Sequence, residues 1–116
     1  MPHLILEHTD NLPAFDVPAT LRALNAVLID TGVFPAADIK SRAVKLETYL
    51  VGDGTAADGF AALTLHTRLN DTEKKAAIAQ GLLATLKAHI PTGTVPVQFS
   101  VDILLIDGGV YAKDRV

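Results

Sequence analysis

Pro2 sits directly behind the initiator Met1. A small second residue such as proline is the kind that permits removal of Met1, and removal exposes a secondary amine. An ordinary α-amino group titrates near 7.7 to 8.0, and an apolar pocket or neighbouring cations disfavour its protonated form, so a prolyl nitrogen can serve as a free base at neutral pH. The competing reading is a plain strand-edge proline. The remaining chemistry-bearing residues are scattered. His3, His8, His66 and His89 lack the mutual spacing of metal ligands, and the absence of cysteine excludes thiolate sites, disulfides and a cysteine nucleophile. Gly52-Asp53-Gly54 lacks a third glycine and stands between strands, which makes it a turn and not a phosphate cradle. Asn70-Asp71-Thr72 has the form of a glycosylation sequon, but no export signal precedes it. Glu47 and Asp102 are isolated carboxylates, expected at the surface.

Composition narrows the classes of function. The 116 residues are 49% hydrophobic and 20% charged, which predicts one globular domain over residues 1–116 and excludes disorder. The longest apolar runs fall far short of the ~20 residues that span a bilayer, so no membrane association is expected. A net charge of −3 without a basic block gives no footprint for nucleic acid, and the sparse aromatics offer no stacking platform for bases. The expected location is the cytoplasm.

The elements that must position Pro2 follow from hydrophobic spacing. Residues 3–8 read as a strand, closed by Thr9, Asp10, Asn11 and Pro13. Asp16 as N-cap, Pro18 in the first turn and Val17, Leu21, Leu24 and Leu28 predict a helix over 17–31, ended by Gly32. A second strand lies within 39–51, with Val44, Leu46 and Leu50 assigned to the buried face and Lys45 and Glu47 to the other. Glycine-rich turns then lead to a third strand over 60–69, read as the second arm of a hairpin. Asn70 paired with Glu73 reads as the cap of a helix over 72–89, which Pro91 stops. Strict alternation from Val95 to Leu105 gives the last strand.

The order β-α-β-β-α-β is an approximate internal duplication of about 50 residues per half. It predicts an α+β fold: a four-stranded mixed sheet whose right-handed crossovers place both helices on one face. The other face, expected to carry Lys45, Glu47, Gln98, Ser100 and Asp102, then meets solvent or other subunits.

Several blocks resemble one family: Pro2-His3-Leu4-Ile5-Leu6-Glu7, Asp10-Asn11, Thr31-Gly32-Val33-Phe34-Pro35, Ile39-Lys40-Ser41-Arg42-Ala43 and Val51-Gly52-Asp53-Gly54. Together they are similar to the 5-carboxymethyl-2-hydroxymuconate Δ-isomerases of the tautomerase superfamily, over roughly residues 2 to 106. The resemblance implies a cytoplasmic homotrimer without metal or organic cofactor. It implies an intramolecular oxidoreductase that shifts a C=C bond or interconverts keto and enol forms in the breakdown of aromatic compounds. Pro2 would be the catalytic base. Arg42, able to hold a carboxylate bidentately, and Lys40, a point charge of the same strand parity, would bind the carboxylate substrate. Three departures stand out against the family pattern: Lys40 where arginine is usual, no histidine near Ala62, and Asn70-Asp71-Thr72 in place of a Gly-Arg-Ser block. Asp71 implies repulsion of a second carboxylate, and hence preference for a monocarboxylate. The alternatives are a ferredoxin-like small-molecule binding module, since the element order suits that architecture too, or a trimeric family member that has lost activity.

Overall fold

In a computed structural model that describes all 116 residues, the chain runs β1 (His3–Thr9), α1 (Val17–Asp30), β2 (Lys40–Leu46), β3 (Gly59–Thr67), α2 (Thr72–His89) and β4 (Val97–Leu105), with one 3-10 turn at Ala36–Asp38 before β2. The sheet order is β2-β1-β3-β4, with β1 parallel to β2, antiparallel to β3, and β3 parallel to β4. Each half is thus a β-α-β crossover. Helix α1 packs over β2, α2 over β4, and the helices touch each other, which leaves one sheet face bare.

The core is aliphatic. Leu4 and Leu6 of β1, Ala61, Leu63 and Leu65 of β3, Leu24 and Leu28 of α1, and Ile78, Leu82 and Leu86 of α2 form one buried cluster. Alternation along the strands and the four-residue repeat along α2 make those side chains converge.

Helix caps act as their residue types dictate. The Asp16 carboxylate accepts from the Ala19 N–H at 2.9 Å and starts α1, and Gly32, with φ of +75°, follows its end. For α2 the cap is Asp71 and not Asn70: its carboxylate accepts the Lys74 N–H at 3.0 Å. Asp71 precedes the first helical residue directly, the position from which a short carboxylate reaches the third N–H beyond it.

Three further sequence expectations change. First, β2 and β3 are not a hairpin, because β1 lies between them. Residues 47–58, longer than a tight hairpin loop, carry the chain across the end of β1, which lies between β2 and β3. Second, β2 faces the other way round. Ala43 packs on the core, whereas Val44 is 45% exposed on the bare face, and Lys45 pairs with His8 on the helix side. An edge strand with apolar residues of both parities leaves its facing to the neighbouring strand, and register with β1 decides it. Third, the ferredoxin-like alternative requires a split crossover, with a strand inserted between the parallel pair; here β1 and β2 are immediate neighbours.

Candidate active site at the convergent strand ends

The register brings four strand ends together. His3 pairs with both Lys40 and His66, and His66 with Leu104, so the starts of β1 and β2 and the ends of β3 and β4 share one end of the sheet. Pro2, the residue before β1, is buried there, and its carbonyl accepts the Lys40 N–H at 3.1 Å. The segment after α1, Val33-Phe34-Pro35 and the turn Ala36–Asp38, folds against the same end.

The result is a cleft of about 450 Å³ lined by Met1, Val33, Phe34, Pro35, Asp38, Thr67, Arg68 and Leu69. Half of its lining residues are apolar, and its charged side chains are one acid and one guanidinium. Burial, the largest influence, pulls the N-terminal ammonium below its usual pKa of 8.0. Asp38 opposes that shift, while Lys113, Lys40 and Arg68 add to it. Removal of Met1 would transfer the amine to the buried Pro2 nitrogen, one residue closer to the strands.

The three site residues expected from sequence are neighbours along the backbone yet open onto different surfaces. Lys40 and Arg42 share the bare face, as their common parity requires. Lys40 extends to the Asp38 carbonyl, which accepts from its Nζ at 2.9 Å. Arg42 lies in a second cleft with His3, His66, Leu104, Leu105, Ile106 and Tyr111. There its guanidinium donates to His3 Nδ1 at 3.2 Å. A guanidinium has no acceptor, so that ring nitrogen is unprotonated and the proton sits on Nε2, 3.3 Å from the Tyr111 hydroxyl. Desolvation first, then Arg42, Lys40, the N-terminus and His66, hold the His3 pKa below its ordinary 6.5.

Two side chains reached the site unannounced. Arg68, one residue beyond β3, stands in the Met1 cleft. Tyr111 arrives with the C-terminal segment, which turns back so that Ile106 N–H donates to the Thr67 carbonyl at 2.8 Å. Asp71, by contrast, is exposed, spends its carboxylate on the α2 cap and does not line the cleft. No three histidine or acidic side chains converge on a point where they could hold a metal ion. A smaller apolar groove of about 260 Å³ between α1 and α2 has Lys74 as its one charged residue and no acid–base pair.

Known proteins share both the sequence and this frame. The 5-carboxymethyl-2-hydroxymuconate Δ-isomerase of Escherichia coli is 40% identical over 55 residues, which are 47% of this chain and 44% of that protein. The match therefore spans less than half of the curated relative's length. A crystal structure of a 5-carboxymethyl-2-hydroxymuconate isomerase from Deinococcus radiodurans R1 superposes with a TM-score of 0.89 at 30% identity, over 99% of this chain and 90% of that one. A second 5-carboxymethyl-2-hydroxymuconate Δ-isomerase structure gives 0.79 at 26% identity, over 100% and 89%. The family model for 5-carboxymethyl-2-hydroxymuconate isomerase matches residues 2–114, the whole fold from Pro2 through the returning C-terminal segment, and the chain belongs to that family.

Proposed function

We propose that the chain, once Met1 is removed, is a cofactor-independent isomerase that moves a proton between carbons of an unsaturated 2-hydroxy or 2-keto acid resembling 5-carboxymethyl-2-hydroxymuconate, in the breakdown of aromatic compounds. The observation that carries this reading is the placement of Pro2: buried at the convergent strand ends, directly behind Met1, whose amine lies in a cleft with Asp38 and Arg68 and is pulled below its usual pKa by burial. The free Pro2 amine takes a proton from one substrate carbon. The released electron pair spreads into a dienolate, held by cations, and the resulting prolinium returns the proton to a different carbon as the double bond shifts. Proton and electrons balance within the substrate.

Lys40 and Arg42 are proposed as carboxylate-binding residues. Both face the bare side of the sheet, so they serve this role where that side meets a neighbouring subunit. A fused 4-OT protein, whose fold this chain shares at a TM-score of 0.68 and 18% identity, is a symmetric trimer. We assign the same assembly here, with a mass of about 37 kDa from chains of 12.3 kDa.

The test uses untagged protein. Intact mass spectrometry is expected to show loss of Met1, and the processed protein to ketonise a 2-hydroxydienoate. Pro2→Ala exchanges a secondary for a primary amine and displaces it. Turnover should fall by about 10² or more, the usual contribution of a general base. Full activity with Met1 retained, or with Pro2→Ala, contradicts the mechanism.

A further inference from the structure

We propose that the far end of the sheet holds a second small-molecule site, built around His8 and Lys45, which takes an aromatic acid carrying a hydroxyl group; it stands apart from the isomerase reading. A cavity of about 280 Å³ opens there, between the end of β1, Lys45 of β2 and the segment that leads into α1. His8 lines it and is only 6% exposed, which makes it the floor. Its Nδ1 lies 3.4 Å from the Thr9 carbonyl, and because a carbonyl only accepts, Nδ1 carries the proton of the neutral ring. Nε2, on the opposite edge of the ring, is then a bare acceptor, and His8 makes no second hydrogen bond. A buried acceptor is costly unless something completes it. Thr9, the other inner polar side chain, is already committed: its hydroxyl accepts the Phe60 N–H at 3.1 Å and donates to the Phe60 carbonyl at 3.4 Å.

Depth orders the chemistry. Phe15 stands edge-on to the His8 ring, with centroids 5.1 Å apart at 72°, and together with Leu12, Pro13 and Val17 it forms walls that suit an aromatic ring. Lys45, the register partner of His8, and Asp10 are exposed and stand at the rim. A hydroxyl at the inner end of a bound ring therefore donates to Nε2, and a carboxylate at the outer end meets the Lys45 ammonium. Asp10 repels a second carboxylate at the same rim, which restricts the ligand to one. The lining is fixed in advance. Asp10 N–H donates to the Leu46 carbonyl at 3.1 Å, Asn11 Nδ2 donates to the Asp58 carbonyl at 3.2 Å, and Pro13 packs on Gly93, where an added Cβ would come within 2.9 Å of its Cγ. Little of the segment is left to be ordered when a ligand enters. His8 and Lys45 lie on the helix side, away from the face assigned to subunit contact.

The test titrates 4-hydroxybenzoate, and benzoate as the analogue without the hydroxyl, into untagged protein by calorimetry. The parent should bind 4-hydroxybenzoate more tightly by about fivefold or more, the scale of one hydrogen bond to a buried acceptor. His8→Phe keeps a ring against Phe15 but removes Nε2, and should bring the two affinities together. Lys45→Gln, at the exposed rim, should weaken both ligands about fivefold and leave their ratio unchanged. In the parent, ring 15N spectra should show the Nδ1–H tautomer of His8 and a shift of its Nε2 when 4-hydroxybenzoate is added, a readout that decides the matter even if His8→Phe does not fold. No binding of either acid to the parent, equal affinity for the two, an unmoved His8 Nε2, or binding indifferent to both substitutions overturns the site.

Discussion

The two faces of the sheet are built from different materials. Under the helices lie Leu4, Leu6, Leu63 and Leu65, each no more than 1% exposed, with His8 and Lys45 the titratable groups near one edge. On the bare face the same strands present His3, Ile5, Glu7, Lys40, Arg42, Val44, Thr64, His66, Asp102 and Leu104, and Val44 and Leu104 are 45% and 44% exposed. Period-2 strands force this division, because every residue that enlarges one face is removed from the other. One face therefore supplies folding energy. The other is free to combine exposed aliphatics with cations, the mixture that suits subunit contact around a charged site.

That contrast can be broken from either side. Val44→Asp together with Leu104→Asp places carboxylates on the bare face without entering the core. Light scattering should then show the 12.3 kDa chain in place of the proposed trimer, with the circular dichroism of the helices kept. A trimer that survives both charges shows that its contacts lie elsewhere. On the covered face, Leu82 is fully buried between α2 and the sheet. Leu82→Ala removes buried methyl groups and leaves a cavity, at a cost of about 2–5 kcal/mol in denaturant unfolding. If that substitution changes the oligomer more than the unfolding midpoint, the division of labour between the faces is wrong.

The covered face was the legible one. Leu24, Leu28, Ile78, Leu82 and Leu86 repeat at helical spacing, and Ala61, Leu63 and Leu65 alternate, so sequence alone assigns them to one core. β2 was misread for a physical reason: in Lys-Ser-Arg-Ala-Val-Lys-Leu, Val44 and Leu46 outweigh Ala43 in any hydrophobic count, yet parallel register with β1 turns Ala43 inward. Pro2 is singled out by its place behind Met1, and the fold buries it at the convergent strand ends. Arg68 was not legible, because nothing local distinguishes an arginine after a strand from a solvated one. Only the fold brings it into one cleft with the N-terminus. The Asp71 cap had a local signal, an aspartate immediately before the first turn of α2, which the Asn70–Glu73 pairing obscured.

The smallest expected effect concerns His3, where the bare face responds to pH. Its imidazole accepts from Arg42 through Nδ1 and reaches Tyr111 through Nε2, an arrangement open only to the neutral ring. Burial and the surrounding cations Arg42 and Lys40, with the N-terminus and His66, keep its pKa below 6.5 in the folded chain. The unfolded chain therefore binds this proton first as pH falls. The stabilisation is present in full above 6.5 and drains away between 6.5 and the lower folded value. Because the ring is only half-buried, solvent screening keeps the contribution below about 1 kcal/mol. Comparing urea midpoints at pH 7.5 and 5.5 for the parent and His3→Gln isolates it, since glutamine can accept from Arg42 but does not titrate. The parent should lose more stability on acidification than His3→Gln. Equal losses would show that the Arg42–His3–Tyr111 chain adds nothing to folding, and that the bare face answers to pH through other groups.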